Sequence, residues 1–223
     1  MNENQIQIAA ATKIYVTEIF NKQVSPLFYF HNLTHILQVV NAAEEIANYY
    51  QLNDNDHFIL LVSAWFHDIG FITGKAEGHE EQSMRFAVNF LLEHNTVPEV
   101  IFRVSSCIQA TSLLIAPVNF VEEIMCDADL YHLGTKDFII MNNRLKQEQE
   151  AYLRKKFSKR KWLQHNIDFL QTHQYFTDYC RQKLEPKKQE WLHQLQNEKA
   201  AFAENFWSLK RNTTSVFIHA LIE

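Results

Sequence analysis

The nine residues from Phe58 to Phe66, FILLVSAWF, constrain the fold more than any other stretch, and His67 and Asp68 follow them directly. Only Ser63 interrupts the apolar character, and the polar/apolar alternation of a half-exposed strand is missing. A helix that is apolar nearly all round belongs at the centre of a bundle. The run is far short of the roughly 20 residues that cross a bilayer, so it predicts a buried core helix. The carboxylate of Asp68 is therefore expected in apolar surroundings, where desolvation is costly unless hydrogen bonds or a cation offset it.

The rest of the chain agrees with an all-α bundle. Four Gly and four Pro among 223 residues are too few for a fold built on many tight turns. Helical spacing of Ile6, Ala9, Ala10, Ile14, Thr17 and Phe20 predicts a first helix over 5–21, ended by Val24-Ser25-Pro26. Thr34 is placed to cap a second helix to about Tyr50, with Ile36, Leu37, Val40, Ala43, Ile46 and Ala47 as its apolar stripe. Further helices are expected from Asp56 to about Gly70, over 79–94, and from Pro98 to Thr111. After a loop over 112–119, five more follow, over about 120–133, 135–157, 159–172, 174–184 and 187–210. No strand or repeat is expected. The simplest partition is one domain over 1–223, with a core of about 25–175 and a helical extension of about 176–223.

A net charge of -5 and a pI near 6.1 predict neither a surface for large nucleic acids nor one for acidic membranes. Cys107, Cys126 and Cys180 are widely spaced and contain no CxxC pair, which fits a reducing cytoplasm. The start MNENQIQIAAATK has no signal-peptide pattern, so neither export nor a membrane segment is expected.

Placement makes the eleven histidines informative. His31 and His35 in FHNLTH are four apart, a spacing that puts two imidazoles on one face of a helical segment. His67-Asp68 ends the apolar helix, and CDADLYHLG places Asp127 and Asp129 in a second apolar context. One ion drawing ligands from all three segments would compensate the buried charge. Spacing alone leaves Asp127 and Asp129 as alternatives.

In this order the residues resemble the HD superfamily of metal-dependent phosphohydrolases, whose members present a His, then a His-Asp pair, then a distant Asp around a divalent ion. The resemblance covers about residues 25–175. FHNLTH is similar to the Tyr-His-Asn-x-x-His motif of cyclic-nucleotide phosphodiesterases, with Phe30 in place of tyrosine. It implies an HD-type bundle in which His35, His67 and Asp68 are ligands and His31 donates a proton to the leaving group. Ala128-Asp129-Leu130 matches the family's Ala-Asp-Leu, which implies Asp129 as the last ligand and leaves Asp127 to assist or replace it. GHEEQS, over 78–83, is similar to a His-Glu-x-x-Ser signature of small bacterial members and adds His79 and Glu80 as catalytic-site candidates. The adjacent His pair of dinuclear relatives is replaced by IQAT over 108–111, which implies one tightly held ion. DADLYHLGTKDF, Arg144 with Glu148, and FLQTHQYFT resemble the HD portion of Pycsar-type effectors, which usually continue into membrane helices.

Mixed His and carboxylate ligation favours Mn2+, with Co2+, Fe2+, Ni2+, Zn2+ or Mg2+ as alternatives. The expected substrate is a small phosphoester, such as a nucleotide; Lys75, Lys136 and Arg144 are candidate phosphate contacts. A catalytically silent nucleotide-sensing or effector module is the alternative, and a di-iron oxygenase is disfavoured by IQAT. In the last helix Trp191, Leu195, Phe202, Phe206 and Leu209 follow one stripe, suited to packing on the chain's own domain or to a homodimer.

Overall fold

The structure, a computed structural model, describes residues 1–112 and 114–219, with side chains to residue 202. Ten α-helices follow in order: α1 (Glu3–Gln23), α2 (Leu33–Tyr50), α3 (Asp54–Phe66), α4 (His79–Glu93), α5 (Pro98–Ala110), α6 (Phe120–Asp129), α7 (Phe138–Tyr152), α8 (Lys159–Thr172), α9 (Asp178–Lys183) and α10 (Glu185–His219). Short 3-10 turns cover Ile69–Thr73 and Tyr131–Gly134, and no strand occurs among the described residues. No described helix is long and apolar enough to cross a membrane.

The run Phe58–Phe66 is the axis of the bundle. Phe58, Ile59, Leu60, Val62, Ala64 and Phe66 are all buried, and α1, α2, α4, α5 and α6 pack around them. Ser63 lies among them without loss, because its hydroxyl donates to the Ile59 carbonyl at 2.7 Å. The helix ends at Phe66, a turn earlier than its apolar pattern suggests, with His67 as its C-cap.

Two apolar stripes differ from expectation. In α1 the buried residues are Ile8, Thr12, Val16 and Phe20, spaced by four, whereas Ile6 and Ile14 are 53% and 61% exposed. Thr12 can occupy that seam because its hydroxyl donates to the Ile8 carbonyl at 2.9 Å. In α2, Val39 takes the buried place expected for Leu37, which is exposed. Asn32, not Thr34, caps α2: its backbone is extended and its side chain accepts from Thr34 N at 2.9 Å. The cap places His35 in the first turn of the helix.

A smaller cluster of Leu133, Phe138, Leu163, Ile167, Leu170, Leu192 and Leu195 joins α8 and α10 to the second 3-10 turn. Leu195 is buried against α10's own chain, and Trp191 Nε1 donates to the Thr135 carbonyl at 2.8 Å, so the start of the terminal stripe packs intramolecularly. The side chains of Phe206 and Leu209 lie outside the described residues.

Gly70 joins the axis to α4. A Cβ there would fall 2.0 Å from the His79 carbonyl oxygen, and Gly70 N donates to Ser83 Oγ at 2.9 Å. The turn after His67-Asp68 is thereby pressed onto the helix that carries His79. Gly70→Ala is expected to cost about 1–3 kcal/mol through overpacking, or about 2–12 °C in melting temperature for a chain this size. Melting unchanged from wild type would contradict this close approach.

Candidate metal centre

Four side chains converge where α2 begins and where α3 and α6 end. His67 Nδ1 lies 2.9 Å from the Ala64 carbonyl and donates to it, which leaves Nε2 facing His35 Nε2 at 3.3 Å. Asp129 Oδ1 lies 3.1 Å from His35 Nε2 and 3.5 Å from His67 Nε2. Asp68 Oδ2 is 3.3 Å from each of these nitrogens. His35, His67 and Asp129 form a group of donors all within 4.8 Å of one another, and this group can hold a divalent metal.

The spacing fits an ion. Four donors in a tetrahedron about 2.0–2.1 Å from a centre are separated by roughly 3.3–3.4 Å, close to the separations here. His35, His67 and Asp68 are almost wholly buried, and Asp68 Oδ2 has no hydrogen-bond partner. Both carboxylates also stand at helix C-termini, Asp129 as the last residue of α6 and Asp68 just past α3, where the helix dipole is negative. Burial, dipole and mutual repulsion all demand positive charge at this point.

Clefts of about 210 Å³, beside His35, Gln38, Asn41 and Tyr131, and about 380 Å³, beside Thr111, Cys126 and His173, both reach Asp129. The side chain of Asp129 is 19% exposed, compared with 0–5% for the other three, so the cluster opens to solvent on its side. Asp127 points elsewhere. It accepts from Phe176 N and Thr177 N, each at 2.8 Å, and from Thr177 Oγ1 at 2.7 Å, pinning the entry to α9. None of these contacts is with His35, His67, Asp68 or Asp129.

The other expected residues divide. His31 precedes the cap of α2 instead of lying on it, yet its ring centroid is 5.9 Å from that of His35, and it stacks on Phe71 at 4.0 Å. His79, first in α4, reaches Asp68 Oδ1 through Nε2 at 3.4 Å, while its Nδ1 donates to the Ala76 carbonyl at 2.8 Å. Glu80 meets His79 Nδ1 at 3.3 Å and touches none of the four central donors. Lys75 and Lys136 are exposed, Arg144 makes only a 3.9 Å contact to Met141 Sδ, and none of the three reaches the cluster.

Glu148 was not expected as a site residue. It is buried on α7, accepts from Phe30 N at 2.8 Å and His31 N at 2.9 Å, and pairs its other oxygen with His31 Nδ1. The sequence singled it out only beside Arg144, as part of a family resemblance, and its contacts were not legible because its partners lie more than a hundred residues away. His132, whose ring is 5.4 Å from Phe30, lines the smaller cleft. Burial, reinforced by the charge of His35, keeps it neutral down to about 4.

No family model matches the chain, and no curated protein does. Among solved structures it is similar to a predicted HD superfamily hydrolase from an uncultured Thermotogales bacterium, with a TM-score of 0.55 and 18% identity over 91% of this chain and 99% of that one. The fold is an all-α HD-type bundle.

Protons and a bound ion would compete for the cluster. Burial works against charge on His67 and His35, but the Asp68 and Asp129 carboxylates outweigh it, raising His67 well above and His35 above the ordinary 6.5. Against the same burial, the histidines hold Asp68 and Asp129 far below the ordinary 3.8. Without an ion, the histidine contribution to stability is full below 6.5 and is lost as pH rises through the raised folded values. The carboxylate contribution is present above 3.8 and is lost as pH falls through the depressed ones. Ion-free protein is therefore most stable between these limits, whereas ion binding must displace protons and gains with pH. We expect the melting temperature of chelator-treated protein to fall as pH rises from 6.5 through the raised folded values of these histidines. The increment from added Mn2+ should grow across the same interval, and a pH-independent increment would contradict this competition.

Proposed function

We propose that the protein is a metal-dependent phosphohydrolase of the HD type, cleaving a small phosphoester. The observation that carries the reading is the convergence of two imidazole nitrogens and two carboxylates, one with a buried oxygen that has no hydrogen bond, beside an oriented histidine. The likeness of fold to a predicted HD superfamily hydrolase supports it. His35, His67, Asp68 and Asp129 would hold the ion, with Mn2+ as the best match to the mixed donors. A divalent ion there supplies Lewis acidity toward a phosphoryl oxygen and lowers the pKa of water near neutrality.

The chain's own residues supply the rest. Glu148 engages His31 Nδ1, so Nε2 is the nitrogen left to protonate the departing alkoxide as the P–O bond breaks. Stacking on Phe71 fixes the plane of that ring. Asp68 presents one oxygen to the two ligand histidines and the other to His79, an arrangement suited to orienting the attacking water and taking its proton. Glu80 acts through His79 as a positioning residue. A nucleotide is the substrate we favour, on the resemblance of FHNLTH to the phosphodiesterase motif.

The test is hydrolysis of a panel of nucleotides and other phosphoesters with Mn2+, Co2+ or Mg2+. Asp68→Asn should abolish turnover. His31→Gln should lower kcat about 10²–10⁴-fold. Glu148→Gln should lower it about 10–100-fold with bound metal unchanged, as expected for a residue that orients another. Metal retained by wild type without turnover on any substrate would overturn the reading in favour of a silent nucleotide sensor.

A further inference from the structure

The acidic net charge conceals a concentrated basic surface. Residues 154–161 read RKKFSKRK: six of the 21 Lys and Arg lie within eight positions, leaving 15 against 26 Asp and Glu in the rest of the chain. All six are exposed. Lys156 pairs with Glu150 at 2.7 Å and Lys159 with Glu198 at 2.6 Å. Arg154, Lys155, Arg160 and Lys161 take part in no ion pair among the described residues.

Local structure explains only half of this charge. Arg154, Lys155 and Lys156 follow the C-terminus of α7, where the helix dipole favours cations. Lys159, Arg160 and Lys161 form the first turn of α8, which contains no acidic residue, so three cations face the positive end of a helix. That arrangement opposes folding and would be relieved by an anionic surface. The connection is a defined shape: Arg154 adopts the left-handed conformation at φ 50°, and Glu150 accepts from Phe157 N at 2.9 Å. Tyr29, Gln147, Arg154, Lys155 and Lys156 line a groove of about 570 Å³ here, and Tyr29 is two residues from His31.

Apolar side chains border the cations. Tyr152 is 44% and Leu153 54% exposed at the end of α7. Basic residues flanking an exposed aliphatic and a tyrosine are the chemistry of a peripheral membrane contact, with cations at anionic headgroups and Leu153 among the acyl chains. Nucleic acid fits less well. Leu153 offers no stacking surface for a base, and Phe157, the ring inside the run, is half-buried against Trp162 at 5.5 Å between centroids, so Tyr152 is the one exposed ring within residues 152–161.

We infer that the α7–α8 connection, residues 152–161, docks the protein peripherally and reversibly on an anionic phospholipid bilayer. The full chain should co-sediment with vesicles containing phosphatidylglycerol, bind phosphatidylcholine vesicles weakly, and lose the difference at high salt. Combined Lys155→Gln, Arg160→Gln and Lys161→Gln should weaken binding about fivefold per cation removed, or roughly 100-fold in all. These exposed changes should leave hydrolysis and melting as in wild type, or raise the melting temperature by relieving the first turn of α8. Leu153→Gln should weaken the binding that persists at intermediate salt. Equal binding to both vesicle types, full binding by the triple variant, or retention by single-stranded RNA but not by vesicles would each overturn the proposal.

Discussion

Two carboxylates, Asp68 and Asp129, meet at the C-terminal ends of two packed helices with their charges turned toward the same few cubic ångströms. This is a costly arrangement, because burial and the dipoles of α3 and α6 all act against it. The surroundings are organised around meeting that cost. Asn32 caps α2 so that His35 enters in its first turn, Ala64 fixes the tautomer of His67, and the tight approach at Gly70 brings in His79. Two imidazoles can neutralise the pair when protonated, and an ion can do so when they are not. Either form of positive charge would meet the cost.

Two parts of the chain were legible from sequence because their signals are local. The run Phe58–Phe66 could only be a central helix, and the structure makes it one, with α1, α2, α4, α5 and α6 around it. The structure also brings His35, His67, Asp68 and Asp129 together, since each residue ends or begins an element whose apolar pattern is strong. Asp127 and Asp129 were not separable by spacing: two residues apart on α6, they point in different directions, and the distant backbone at Phe176 and Thr177 holds Asp127.

What stayed hidden depends on partners distant in sequence. Glu148 reads as one more acidic residue on a polar helix until α7 lies against the loop carrying His31. The seam of α1 through Thr12 was missed because a hydroxyl bonded to its own helix counts as apolar for packing but not for hydropathy. Helix ends shifted where a cap competes with the hydrophobic pattern, as when His67 closes α3 and the chain tightens into the 3-10 turn over Ile69–Thr73. Net charge is silent on local clustering: a sum over 223 residues cannot register six cations within eight.

Everything proposed for catalysis requires that the cluster bind an ion through these side chains. The most direct measurement is elemental analysis of the purified chain after dialysis against Mn2+, set beside His67→Ala and Asp129→Asn prepared identically. The account predicts close to one ion per wild-type chain and a large loss in both variants, with the helical content of all three alike. Wild-type protein without a stoichiometric ion, or variants that retain one, would contradict it.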